Sequence, residues 1–191
     1  MAKLHFYYAS MNAGKSTALL QADFNYRERG MATMLWTAAI DNRVDGLDIV
    51  SRIGIGAPAH RFVPETDLLH AIRTAHAAGP LAAVLVDEAQ FLTTAQVWHL
   101  AQVADDLGVP VLCYGLRTDF TGALFAGSAA LLAIADRLVE LRAVCHCGAN
   151  ATMNLRVDAA GHAVHQGAQT EIGGNDRYLA LCRRHFRESL K

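Results

Sequence analysis

The apolar positions of the first two-thirds of the chain fall into two alternating textures. Short continuous runs at Leu4–Tyr8, Thr33–Ala38, Ala82–Val86 and Val109–Tyr114 predict buried strands, and the amphipathic stretches Lys15–Arg29, Asp67–Ala78 and Thr94–Leu107 between them predict helices. Each helix meets a stop, at Gly30, at Gly79-Pro80 and at Gly108 ahead of Pro110. Alternation of this kind predicts an α/β fold, a mostly parallel sheet flanked by helices. From Cys145 the texture changes to short polar-alternating segments with frequent glycines, ending in a basic stretch over Tyr178–Lys191. The change sets a boundary near residue 144, with a main domain over 1–144 and a small one over 145–191. The aperiodic segment Asn42–Pro58 predicts an exposed loop.

Composition narrows the class. The chain has 191 residues, 52% of them hydrophobic and 18% charged, enough for a real core and unlike a disordered chain. Its 17 Lys and Arg against 18 Asp and Glu leave a formal net charge of −1, without the basic excess that a duplex-binding protein uses to displace counterions. Nucleic acid is therefore not an expected partner. The N-terminal Met1–Phe6 stretch is too short and too weakly charged for an export signal, and no apolar run approaches the ~20 residues that span a bilayer. A cytoplasmic protein with no membrane partner is expected.

The run Ala9-Ser10-Met11-Asn12-Ala13-Gly14-Lys15-Ser16-Thr17 leaves a predicted strand and opens a predicted helix, the setting that a phosphate-binding P-loop requires. Loop amides and the helix N-terminus can surround the β- and γ-phosphates of ATP, Lys15 adds positive charge, and the Ser16 hydroxyl can ligate Mg²⁺. Ala9 stands where the motif usually carries its first glycine, at a cost in backbone freedom.

The second strand-end signal is Asp87-Glu88, two carboxylates closing the run Ala82–Val86. Ligands of α/β sheets bind at the carboxyl ends of the strands. Asp87 suits Mg²⁺, directly or through water, and Glu88 is placed to face whatever attacks the γ-phosphate. An acid there serves kinases and ATPases alike, so the nucleophile is not named by these residues.

The late cysteines form a third pattern. Cys145-His146-Cys147 and Cys182-Arg183-Arg184-His185 offer two close-spaced ligand pairs, as in a Cys₃His structural zinc site. Cys145, Cys147, Cys182 and His185 are the expected ligands, with His146, His162 and His165 as rivals for the fourth position. Four protein ligands leave no open position, so such a metal organises the fold. Cys113, inside an apolar run, reads as a small buried hydrophobe. Arg183, Arg184, Arg187 and Lys191 read as a solvated helix face.

With these motifs in order, the chain resembles the type II thymidine kinases, in their bacterial branch, over essentially its full length. The resemblance rests on Tyr7-Tyr8 before the P-loop, Val86-Asp87-Glu88-Ala89-Gln90-Phe91, Tyr114-Gly115-Leu116-Arg117-Thr118-Asp119-Phe120 and Ile172-Gly173-Gly174-Asn175-Asp176-Arg177-Tyr178. It implies a RecA-like P-loop kinase domain with a zinc-binding lid. The implied activity is transfer of the ATP γ-phosphate to the 5′-hydroxyl of thymidine or deoxyuridine for pyrimidine salvage, by a homotetramer subject to feedback by dTTP. It makes Glu88 the catalytic proton acceptor, sets Asp87 and Gln90 beside the loop residues 9–17 at ATP, and assigns Met11, Phe91, Leu116, Phe120, Phe125, Glu171, Ile172, Gly173 and Tyr178 to the nucleoside. Two rival classes use the same residues: a P-loop ATPase or switch whose zinc lid binds a protein partner, and a zinc-organised nucleic-acid module.

Overall fold

The computed structural model describes residues 1–39, 48–170 and 177–191. Six strands form one sheet: β1 (Leu4–Ala9), β2 (Ala32–Ala38), β5 (His60–Phe62), β6 (Leu81–Val86), β7 (Val111–Leu116) and β8 (Arg137–Glu140), in the order β5-β2-β6-β7-β1-β8. Every neighbouring pair is parallel. The strand that feeds the P-loop and the strand that precedes Asp87 are separated by β7.

Period-two alternation decides which side chains go where. In β6, Val84 and Val86 join the core on one face, while Ala83 and Leu85 join the core on the other. The first face is covered by α2 (Leu68–Ala78), α3 (Thr94–Asp106) and α4 (Ala126–Ile134), through buried residues such as Ile72, Leu100 and Leu131. Burial of each such side chain is worth about 1.5–3 kcal/mol. The second face is covered by α1 (Lys15–Glu28), through Leu19 and Leu20, and by a hairpin of β3 (Ile49–Val50) with β4 (Gly56–Ala57). Strands buried on both faces read as unbroken apolar runs, which is why their sequences stand out.

The predicted helices α1 to α3 are present, with every end within one residue of expectation; Asp67 is the cap rather than the first turn of α2. At α3 the reason is visible in a reciprocal cap: the Thr93 hydroxyl accepts the Gln96 N–H at 3.1 Å, and the Gln96 side chain accepts the Thr93 N–H at 3.0 Å. Gly30 and Gly108 stop their helices with φ of 71° and 66°, a left-handed turn suited to glycine. Gly79 is different, at φ −168°, because Pro80 forces the residue before it into extended backbone.

One expectation needs correction. The exposed loop expected at Asn42–Pro58 is, over its described part, the β3–β4 hairpin with Ile49 and Ala57 buried under the sheet; residues 42–47 lie outside the described residues. The basic stretch Tyr178–Lys191 consists of β10 (Tyr178–Leu181) followed by α5 (Arg183–Ser189). Within α5, Arg183, Arg184 and Arg187 are exposed as expected, and Arg184 pairs with Glu188 at 3.0 Å. Cys113 is fully buried in the sheet core, as its apolar neighbours predicted.

Beyond β8 the chain builds a second small core. β9 (Met153–Arg156) pairs antiparallel with β10, and Cys145, Ala151, Leu155, Leu181 and Phe186 of α5 pack together. Ala13 of the phosphate loop packs against this cluster. Among the described residues no helix is long and apolar enough to cross a membrane.

One glycine couples the packing to the turn that follows Asp87 and Glu88. A Cβ on Gly127, in α4, would lie 2.6, 2.7 and 2.9 Å from the carbonyl oxygens of Ala89, Leu92 and Gln90 in the 3₁₀ turn that follows β6. Gly127→Ala is therefore expected to push α4 off this turn at a cost of about 1–3 kcal/mol. Urea denaturation checks the loss of stability, and turnover checks the disturbance passed to Glu88; an unchanged midpoint would contradict the close fit.

Candidate active site

A parallel sheet delivers the carboxyl ends of β1, β6 and β7 to one edge. The phosphate loop, Asp87-Glu88 and the 117–125 segment therefore meet there. The loop turns through two left-handed residues, Asn12 at φ 64° and Gly14 at φ 74°. Ala9 is the last residue of β1 and is not among the positive-φ residues, so alanine replaces the usual glycine without backbone strain. α1 then starts with no side-chain cap and no acid in its first turn. Its first amides are the helix donors left over by geometry, suited to an anion. The Lys15 ammonium donates to the Ser10 carbonyl at 2.9 Å, which bends it back over the loop.

Ser16 and Asp87 are brought together across 71 residues of sequence, the hydroxyl donating to the carboxylate at 2.7 Å. Two adjacent oxygen ligands are a donor set that fits Mg²⁺. Asp87 is only 4% exposed. Burial first, and the Glu88 charge second, push its carboxyl up to about 7 against the opposing Ser16 hydrogen bond.

Glu88 follows in a left-handed conformation, φ 52° and ψ 36°, uncommon for a side-chain-bearing residue. Strain of this kind is kept where the surroundings enforce it. Here Gln90 does so: its amide nitrogen donates to the Glu88 carboxylate at 2.6 Å while its carbonyl oxygen accepts the Leu116 N–H at 2.9 Å. Gly115 leaves the room, since a Cβ there would come within 2.8 Å of the Gln90 oxygen. Gln90, expected at ATP, is thus buried in a bridge between Glu88 and β7.

Among the described residues expected around the nucleoside, Phe91 follows β6, and Leu116, Phe120 and Phe125 lie at and beyond the end of β7. Phe91 and Phe125 meet edge to face, with centroids 5.9 Å apart, and Leu116 ends β7. Phe120 is buried, with the Arg156 guanidinium 3.6 Å over its ring. Tyr178 is half-buried opposite Arg156 on the β9–β10 ladder. Glu171, Ile172 and Gly173 lie outside the described residues.

Several residues were invisible as site candidates in the sequence. Arg156 donates to the carbonyls of Ala168 and Gln166, at 2.9 and 3.1 Å, and Gln169 donates to the Asp119 carboxylate at 3.0 Å. Asn154 reaches the phosphate loop. Their only sequence signal is polarity inside short apolar segments, which many surface strands share.

The metal centre is compact. The ligand atoms of Cys145, Cys147, Cys182 and His185 lie within 4.8 Å of one another. The Cys145 and Cys182 sulfurs are 3.4 and 3.5 Å from His185 Nδ1, and the Cys147 and Cys182 sulfurs are 3.9 Å apart. A tetrahedral zinc ion with ordinary bond lengths sets ligands about 3.6 Å apart for S···N and about 3.8 Å for S···S. The cluster fits. The Cys145 thiol is drawn down to about 5, chiefly by the Cys147 backbone N–H, which favours the thiolate that a metal binds. Of the rival histidines, His146 stacks on His185 with centroids 4.2 Å apart and brings its Nδ1 within 3.9 Å of the Cys145 sulfur, and His162 pairs with Asp158 at 3.5 Å.

Uncapped helix donors beside a magnesium-competent oxygen pair, at the carboxyl edge of a parallel sheet, define a P-loop protein built to hold a nucleoside triphosphate. The family follows from comparison with known proteins. The thymidine kinase family model matches residues 2–186, and the chain belongs to that family. It is 73% identical over 190 residues to a thymidine kinase of Novosphingobium aromaticivorans, covering 100% of this chain and 99% of the relative. Thymidine kinases of Zymomonas mobilis and Vibrio cholerae are 64% and 55% identical over 190 residues, again across 100% of this chain and 98% and 99% of theirs.

The raised Asp87 carboxyl has a consequence for stability. In the folded chain it keeps a proton that the unfolded chain releases near pH 4, so stability is lost as pH rises from about 4 to about 7. Asp87→Asn, which removes the charge, is expected to stabilise the nucleotide-free protein at neutral pH by ~1–2 kcal/mol while abolishing turnover. Thermal melts at pH 5 and pH 8 check this: the gain belongs at the higher pH.

Proposed function

We propose that this chain is an ATP-dependent thymidine kinase that transfers the γ-phosphate to the 5′-hydroxyl of thymidine, and of deoxyuridine, to give the monophosphate. The observation that carries the reading is the Leu116–Gln90–Glu88 bridge, which ties the Glu88 carboxylate to the end of β7, at the sheet edge where the phosphate loop and the aromatic 116–125 segment also begin. A P-loop ATPase would need an acid directed at water; here the neighbouring walls are Phe91, Phe120 and Phe125, suited to a flat pyrimidine.

On this reading the amides after Asn12 and the Lys15 ammonium hold the β- and γ-phosphates. Ser16 and Asp87 would hold Mg²⁺, which when bound neutralises phosphate charge. Glu88 takes the proton of the 5′-hydroxyl as its oxygen attacks the γ-phosphorus, and the bond to the bridging oxygen breaks to release ADP. Met11, Leu116 and Tyr178 complete the nucleoside contacts, with Glu171, Ile172 and Gly173 assigned to the base. The catalytic gain comes from placement and charge stabilisation.

The small core around β9, β10 and α5 supports treating 145–191 as a lid domain on a 1–144 kinase domain. Zinc at Cys145, Cys147, Cys182 and His185 would staple that lid to its base. The family resemblance supports a homotetramer inhibited by dTTP.

Formation of ADP should depend on added thymidine, and hydrolysis independent of nucleoside would overturn the assignment. Glu88→Gln is expected to lower kcat by about 10²–10⁴-fold with MgATP affinity retained. Metal analysis should find one zinc per chain, and Cys147→Ser should lose it together with several degrees of thermal stability; tight retention of one zinc by that variant would remove Cys147 from the ligand set.

A further inference from the structure

Asn154 belongs to the lid strand β9, yet its side chain is only 2% exposed and touches two other segments. Its carboxamide oxygen accepts the Met11 N–H at 2.7 Å, 143 residues away in sequence. Its amide nitrogen donates to the Thr118 carbonyl at 3.1 Å, 36 residues away. The Met11 amide can only donate and the Thr118 carbonyl can only accept, so the amide has one orientation that serves both. Met11 opens the phosphate loop just before its left-handed turn at Asn12, and Thr118 lies two residues before Phe120 in the acceptor-side segment.

Neighbouring contacts reinforce the junction. The Ser10 hydroxyl donates to the Ala151 carbonyl at 2.8 Å, in a buried bond, and the Arg117 guanidinium donates to the Thr152 carbonyl at 3.3 Å. Ala13 packs against the lid core. Residues 151–154 thus hold the donor loop and the acceptor segment at once, and within that stretch Asn154 is the side chain that binds both.

Resting on the kinase reading above, we propose that Asn154 is a positioning residue that sets the phosphate loop and the nucleoside segment in register. It touches neither the transferred phosphate nor the acceptor oxygen. In-line transfer is sensitive to misplacements of about 1 Å between reacting atoms. A single buried amide shared by the two subsites meets that need, because its two hydrogen bonds cannot shift independently.

The two arms can be separated chemically. Leucine at this position has similar volume and makes neither bond. An ionised aspartate accepts the Met11 N–H but cannot donate to Thr118. Asn154→Leu is expected to raise KM for both MgATP and thymidine by roughly tenfold. Asn154→Asp, assayed at alkaline pH where its carboxyl is ionised, is expected to return the MgATP KM to near the wild-type value while the thymidine KM stays raised. A purely structural asparagine would move both constants together. Thermal melts and zinc content establish that each variant is folded, and equilibrium MgATP binding reads the loop arm without turnover. If the wild-type chain shows no thymidine-dependent turnover, the kinase reading fails, while MgATP binding still tests the loop arm. With wild-type turnover present, the proposal is overturned if folded Asn154→Leu keeps both KM values within about twofold, or if Asn154→Asp shifts the two in parallel.

Discussion

Parallel pairing of all six main strands is the constraint from which the site follows. A parallel strand must be reached by a crossover, so each carboxyl end is also the start of a connection. β1, β6 and β7 therefore release the phosphate loop, the acidic pair and the acceptor segment at one edge. The cost of that concentration is a buried carboxylate at Asp87, and its partners are what the edge supplies: Ser16 from α1 and the Glu88 backbone N–H at 3.0 Å. Function and instability share this carboxylate, since the same burial that sharpens its interaction with a cation penalises its charge without one.

The proposed lid is less separate than its position in the last quarter of the sequence suggests. Its core includes Ala13 of the phosphate loop, and its first strand is tied to the loop and to the 117–120 segment by Ser10, Asn154 and Arg117. Arg156 carries the attachment outward, its guanidinium stacked on Phe120 while it donates to the carbonyls of Gln166 and Ala168. A metal at Cys145, Cys147, Cys182 and His185 would close the base of this unit. Such an ion would brace the element to which the phosphate loop and the 117–120 segment are hydrogen-bonded.

The fold was legible wherever burial on both faces made a strand continuously apolar, as at Ala82–Val86 and Val109–Tyr114. Short elements were not. β5 has three residues and β8 four, too few to show a period, and β3 and β4 have two each inside a segment that reads as loop. α4 was hidden for a different reason: Ala126–Ile134 is mostly apolar with small residues, so no polar face marks it as a helix. The phosphate loop, Asp87-Glu88 and the cysteine pairs were legible because their chemistry is local, with spacing that survives in one dimension.

By itself the sequence determined the phosphate loop, the acidic strand end, the two close-spaced Cys/His pairs and the order of sheet and helix, since each depends on neighbours within a few residues. Tertiary structure alone decided the partners of those groups: which hydroxyl meets Asp87, which strand Gln90 ties Glu88 to, which ring Arg156 covers, that Cys147 meets Cys182, and that Asn154 joins two loops. These are contacts across tens to more than a hundred residues of chain, set by strand order and by the space that Gly115 and Gly127 leave open. No local pattern encodes them, because a buried asparagine, glutamine or arginine is recognisable only by the groups it satisfies.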